Sequence, residues 1–320
     1  MNARPAEPAR ASMFAVALLE ELVSLGVRHV VVCPGSRSQA LALAAAEAER
    51  AGAVHVHVRT DERSAAFFAL GIARETGIPA PVIVTSGTAV ANLLPASLEA
   101  HEGRVPLLLL TADRPVELRG IRSNQTTHQA GLLGAAARLV ADVDADEALQ
   151  DRAGAGQDHA PAPLARRAMA AALGREGGAP AGPVQLNLAF REPLSGWPDE
   201  ARVDVGAGPM TPAQLFDSAA ERRAAKPADA ATHDDDIYTH DDDALTVVIA
   251  GEGAGLEAEA FAREAGLPLL AEVVSGSRFG REAITAYATL IDEPEIGGLV
   301  ERAVIFGHPT LTRQVPALLR

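Results

Sequence analysis

The sequence predicts an α/β protein: a doubly wound parallel sheet followed by a partial second α/β domain. Three observations carry that expectation. Between His29 and Pro115 a short β-rich run is followed by a polar turn and, in the first three repeats, by an Ala- and Leu-rich helical stretch, the strand, loop and helix rhythm of a parallel sheet. The candidate ligand-binding residues of this region lie at the strand ends, where open parallel sheets bind ligands. Aromatic residues make up only 3% of a chain that is 48% hydrophobic, so the core must come from many small Ala, Val and Leu contacts between closely packed layers.

Taken in order, Ser12 is the expected N-cap of a helix over Met13 to Leu25, and Gly26 its left-handed stop. The strand His29 to Cys33 ends in the loop Pro34-Gly35-Ser36-Arg37-Ser38 before a helix reaching about Ala51. A second strand, Val54 to Val58, leads into a helix opened by Glu62. A third, Pro81 to Thr85, turns through Ser86-Gly87-Thr88 into a helix ending near His101, and a fourth, Val105 to Leu110, ends at Thr111-Ala112-Asp113-Arg114-Pro115. Residues 117–134 read as a polar loop with a short helix. Regularity resumes with a strand over Leu139 to Val143, a helix over Leu164 to Leu173 and a strand over Val184 to Leu188.

Residues 1–195 therefore form the expected first domain. Residues 196–243, rich in Pro, Ala and acid and carrying two Thr-His-Asp-Asp-Asp runs, are expected to be a linker or disordered insertion without a metal site. Residues 244–320 form the expected second domain, with strands at Leu245 to Ala250, Pro268 to Ala271 and Arg302 to Phe306, a turn at Gly251 to Gly255 and a last helix over Thr312 to Leu319. The turn alone is a weak dinucleotide signal, because no acidic ribose partner is well placed after it.

A formal charge of −14 argues against nucleic acid and anionic membrane as partners, so an anionic ligand must meet locally clustered arginines. The single cysteine, Cys33, excludes an internal disulfide and a cysteine zinc site and reads as a core residue. With a polar N-terminus lacking an apolar leader, a cytoplasmic protein is expected.

Glu62 stands between a polar strand end and an Ala-rich helix. In surroundings less polar than water a carboxylate is suited to exchanging a proton near neutral pH; position alone fits equally an acid that favours the helix dipole. Ser36, Arg37 and Ser38 at a helix N-terminus suit an anion, or simply cap a turn. Arg114, Arg119 and Arg122 place three cations in one loop region, fit for a dicarboxylate or for a solvated face.

The stretches CPGSRS, TDERSAAFFALGIA, TSGTAVANLLPASLEA, LLLLTADRPVELRGIRSNQT and FGHPTLTR, in this order, resemble the SEPHCHC synthases (MenD), the thiamine-diphosphate enzymes of menaquinone biosynthesis. The resemblance is dense over Val30 to Gly134 and patchier beyond. It implies that residues 1–195 are a pyrimidine-binding domain and 244–320 an incomplete central domain. It also implies decarboxylation of 2-oxoglutarate and addition of the four-carbon unit to isochorismate. Glu62 is then the catalytic acid on the aminopyrimidine, and Ser86, Gly87 and Thr88 are further cofactor contacts. Ser36, Arg37, Arg114, Asn124, Gln125 and Arg313 match substrate positions. The cofactors implied are thiamine diphosphate and Mg²⁺ or Mn²⁺, and the assembly a homodimer, with a homotetramer as the larger option.

The family's diphosphate domain carries a Gly-Asp-Gly turn and a later Asn with the metal. Here the similar turn is Gly251-Glu252-Gly253, and no Asn follows Asn187, so a C-terminally truncated member, inactive alone, is expected, with the metal ligands in the missing domain. The alternative from another class is a non-catalytic remnant or regulatory binding module that keeps the anion loops.

Overall fold

The structure, a computed structural model, describes residues 9–150, 157–175, 178–196 and 244–319. The expected linker, residues 196–243, lies outside the described residues except for Gly196. The chain forms two compact units, divided between positions 230 and 231.

The first unit is built on six parallel strands, β1 (His29–Val32), β2 (His55–Val58), β3 (Val82–Val84), β4 (Leu107–Asp113), β5 (Leu139–Asp144) and β6 (Pro183–Ala189), in the order β2-β1-β3-β4-β6-β5. The fold class is as expected. Its helices are α1 (Arg10–Ser24), α2 (Gln39–Arg50), α3 (Glu62–Thr76), α4 (Thr88–Ala91), α5 (Leu94–Glu102), α6 (Ala145–Gln150) and α7 (Pro161–Ala172). Alternation along β4 sends Leu108, Leu110 and Ala112 into a core with α1, α2 and α7, and Leu107 and Leu109 into a second core with α3 and α5. Both faces are covered, so β4 is buried throughout. From β1 the chain runs outward to β2 and returns to β3 on the other side of β1, which makes the ends of β1 and β3 the reversal point where such sheets open a crevice.

Two local expectations are corrected. Ser12 is not a cap: α1 starts at Arg10, the Ser12 hydroxyl is buried without a partner, and the helix entry is held by Ala9 donating its N–H to the Gly196 carbonyl at 3.0 Å. A tertiary contact replaces the side-chain cap. The helix expected up to His101 is broken at Asn92-Leu93, because Pro95 cannot donate to the carbonyl four residues back and its ring crowds that carbonyl.

The second unit has three parallel strands, β7 (Thr246–Ala250), β8 (Leu269–Ala271) and β9 (Arg302–Phe306), in the order β8-β7-β9. One face packs on α8 (Glu257–Ala265). The other is covered by two short helices, α9 (Tyr287–Leu290) and α10 (Gln314–Leu318), and by segment 284–300, which leave a cavity of about 550 Å³ lined mainly by apolar side chains. Between β8 and β9 the regular structure is the short α9 and a 3-10 turn at Gly297–Leu299. Gly251 is required by a close approach: a Cβ there would lie 2.1 Å from the Pro309 nitrogen. Chain segment 308–309 occupies that side of the turn.

Candidate active site

Glu62 is the first residue of α3, directly after β2, and Asp61 caps the helix by accepting the Ser64 N–H at 2.7 Å. Its carboxylate reaches across the sheet end, where Asn92, just beyond α4, donates to Oε2 at 3.4 Å. Asn92 thereby joins Glu62 to the helix that follows Ser86-Gly87. Cys33, just past the end of β1, is buried, and burial pushes its thiol up to about 12, with the Glu62 charge adding to the effect. Cys33 is a core residue and no nucleophile. The expected enclosure of Glu62 is corrected: the side chain is half-buried and open to solvent, since its first-turn position projects over the sheet end.

The loops after β1 and β3 are in direct contact. A Cβ on Gly35 would stand 2.3 Å from Cβ of Thr85, so only glycine allows these two strand ends to meet. Within the first loop Ser36 is exposed and Arg37 is 9% exposed, donating to the Phe190 carbonyl at 3.0 Å. Its Nε is buried without a hydrogen-bond partner. Burial, followed by the nearby Arg114 cation, holds the Arg37 guanidinium below its ordinary range, against Glu192 and Asp113. A buried donor without a partner beside a second cation has the chemistry to receive an anion.

Arg114 is half-buried and donates to Ser86 Oγ and to the Gln125 carbonyl, each at 2.9 Å. Arg119 is not part of a free cation cluster: it meets Asp113 at 3.1 Å and Asp142 at 2.7 Å, so its charge is neutralised internally. Arg122 and Asn124 are exposed. Gln125 adopts a left-handed backbone (φ 55°) and donates its amide to the Ser86 carbonyl at 3.0 Å, while Ser86 Oγ donates to the Gln125 carbonyl at 2.8 Å. Gly87 has φ 84°, and its N–H donates to Gln129 Oε1 at 2.9 Å. Thr88 opens α4. The site thus brings together Glu62, Ser86, Gly87, Thr88, Arg114 and Gln125, with Arg37 beside Arg114. Arg313 belongs to the second unit, exposed at the start of α10.

Sequence reasoning missed Asn92, Asp113 as an internal acid, Gln129, Gln185 and Asn187. Asn187 donates to Asp113 at 2.9 Å and Asp142 at 2.7 Å, and accepts from Thr111 at 3.0 Å and Gln129 at 2.8 Å. Burial is the largest influence on Asp113 and raises its carboxyl above the usual range despite Asn187 and Arg119. A signal existed: in VQLNL of β6 the apolar residues face one core while Gln185 and Asn187, fully buried, alternate with them toward the loop of residues 129–131. Polar residues alternating inside a buried strand mark a polar layer.

Over residues 13–133 the chain matches the family described as thiamine pyrophosphate enzyme, N-terminal TPP binding domain. It is 57% identical over 312 residues to the 2-succinyl-5-enolpyruvyl-6-hydroxy-3-cyclohexene-1-carboxylate synthase of Leifsonia xyli subsp. xyli, covering 97% of this chain and 49% of that protein. The chain belongs to the SEPHCHC synthase family of thiamine-diphosphate enzymes. Family proteins of the same description from Renibacterium salmoninarum, at 47% identity over 94% of this chain, and Clavibacter michiganensis subsp. michiganensis, at 48% over 95%, are covered to 49% each. The chain spans about half the length of the curated relatives it matches. The matched segment 13–133 holds Glu62, the turn of residues 86–88, Arg37, Arg114 and Gln125. No helix among the described residues is long and apolar enough to cross a membrane.

Proposed function

We propose that this chain supplies the pyrimidine side of a thiamine-diphosphate site, in a protein that decarboxylates 2-oxoglutarate and adds the four-carbon unit to isochorismate to give SEPHCHC. The observation that carries the proposal is the hydrogen bond from Asn92 to Glu62, which ties the carboxylate at the start of α3 to the far end of the short helix opened by the Ser86-Gly87-Thr88 turn, beside the sheet's reversal point. Thiamine diphosphate, when bound, supplies the electron sink for decarboxylation. Glu62 hydrogen-bonds the pyrimidine N1′ and moves a proton there; Asn92 orients the carboxylate. The donor set fits, since a half-buried carboxylate can give or take that proton.

Arg37 and Arg114 bind carboxylate groups of the two substrates, with Ser36, Asn124 and Gln125 at the same end of the sheet. Arg313 adds a basic contact from residues 244–320, which we assign to part of a central domain, with 1–195 as the pyrimidine domain and 196–243 as a linker. Among the described residues no group of three or more metal-ligating side chains can hold Mg²⁺ or Mn²⁺, so other residues would carry the metal. The working form is a cytoplasmic homodimer or homotetramer.

The test is Glu62→Gln in the full-length protein. Cofactor C2–H exchange, read by NMR, should fall about 10²-fold or more while the fold is kept. Exchange at the wild-type rate would remove Glu62 from the role. Binding of both dicarboxylates with no cofactor uptake by the wild-type protein would favour a non-catalytic binding module instead.

A further inference from the structure

We infer that Gln129 is a positioning residue: with Gln125 it clamps the Ser86–Gly87 peptide from both edges and fixes the turn that meets the pyrimidine ring. The inference rests on the cofactor reading above and adds a residue to it. A peptide plane has two polar edges, a carbonyl and an N–H. In this plane the Ser86 carbonyl accepts from Gln125 Nε2 at 3.0 Å and the Gly87 N–H donates to Gln129 Oε1 at 2.9 Å. Gly87 at φ 84° lacks a Cβ that would hold the plane by sterics. Two glutamines four positions apart supply the hold instead.

The direction of the Gln129 amide is itself determined. The oxygens of Asp113 and Asp142 that face Asn187 already accept from Arg119, so Asn187 turns its NH₂ toward them, at 2.9 and 2.7 Å. Its Oδ1 therefore faces the other way, where Thr111 and Gln129 Nε2 donate to it at 3.0 and 2.8 Å. Gln129 Nε2 donates also to the Ala112 carbonyl at 3.0 Å, so both amide hydrogens are used and only Oε1 is left for Gly87. Arg119, bridging Asp113 and Asp142, holds the two side chains together. A polarity set by the buried Asp113 and the exposed Asp142 thus passes through two carboxamides to one peptide. Gln129 is 1% exposed, and Gln185 pins its loop by donating to the Gln129 carbonyl at 2.8 Å and accepting the Gly131 N–H at 3.1 Å. An apolar residue would fill the same volume; the amide is needed for direction.

The experiment is Gln129→Met in the full-length protein, with Gln129→Asn, an amide too short to reach Gly87, in case the first fails to fold. Amide exchange of Gly87 is followed against Ile83 and Leu109 in the neighbouring strands, and thiamine diphosphate with Mg²⁺ is titrated by calorimetry. The expected result is Gly87 exchange about tenfold faster with Ile83 and Leu109 unchanged, together with a cofactor Kd weakened about tenfold, as loss of one hydrogen bond's worth of order predicts. Adding Gln125→Ala should weaken binding by less than the product of the two single effects, because both side chains hold one peptide. Three results overturn the inference: unchanged Gly87 exchange, exchange that rises equally at all three amides, or a cofactor Kd within twofold of wild type. If the wild-type protein takes no thiamine diphosphate, the cofactor reading falls and this inference with it. Unaltered affinity in the variant removes the inference alone.

Discussion

At the scale of single residues, the candidate site depends on close approaches and on donors with few alternatives. Gly35 is the clearest case. Gly35→Ala would force a Cβ to 2.3 Å from Thr85, and overpacking of this kind costs about 1–3 kcal/mol, to be read as a lower urea midpoint. Arg37 joins stability to binding, because its guanidinium is buried and donates to the Phe190 carbonyl. A loop arginine read from sequence should affect affinity more than stability. Arg37→Ala is instead expected to cost about 1–3 kcal/mol in urea unfolding and also to raise KM for the dicarboxylate substrates. Unchanged KM for both substrates would separate Arg37 from the site.

At the scale of elements, the pairing of β1 with the edge strand β2 carries the clearest dependence on pH. His29 Nδ1 lies 3.0 Å from His57 Nε2, and His55 stacks on the His29 ring. Burial, then the charges of His57 and His55, lowers His29 from 6.5 to about 4. His57 is lowered too, first by burial and then by Arg59 and His55. The unfolded chain therefore binds a proton near pH 6.5 that the folded chain refuses until about pH 4. Stability from this group is full above pH 6.5 and is lost as pH falls toward 4, by at most about 3 kcal/mol. Chemical denaturation from pH 7.5 to 4.5 should show that slope, and His29→Gln should flatten it.

At the scale of the molecule, the two units differ in how well they are filled. The first has two large cores on a sheet covered on both faces, whereas the second has a three-stranded sheet with smaller clusters and the 550 Å³ cavity. Amides of β7 to β9 are expected to exchange faster than those of β3, β4 and β6, as measured by native-state exchange. A polypeptide of residues 1–320 is expected to give no turnover of 2-oxoglutarate with isochorismate when thiamine diphosphate and Mg²⁺ are added. On the proposed assignment Glu62 gives the cofactor one net hydrogen bond of about 0.5–1.5 kcal/mol, too little to retain it, and among the described residues no group of three or more His, Cys, Asp or Glu could hold a metal ion for its diphosphate. Measurable turnover would place the diphosphate contacts within these residues.

The alternation of strand and helix, the stop at Gly26 and the placing of CPGSRS, TSGT and TADRP at strand ends were legible in the sequence, because propensity, turn chemistry and hydrophobic period act over a few residues. Glu62 and the turn of residues 86–88 were legible for the same reason. The neutralisation of Arg119 was not, nor was the direction of Gln129. Both depend on Asp142 and Asn187, which come to Arg119, Asp113 and Thr111 only when β6 pairs with β4 and β5 with β6. Ser12 likewise had the local chemistry of a cap, yet Gly196 holds the start of α1. Sequence alone determined which segments form elements and which loops carry polar groups; tertiary structure decided which of those groups are already satisfied, because a hydrogen-bond partner far along the chain is set by strand order and register.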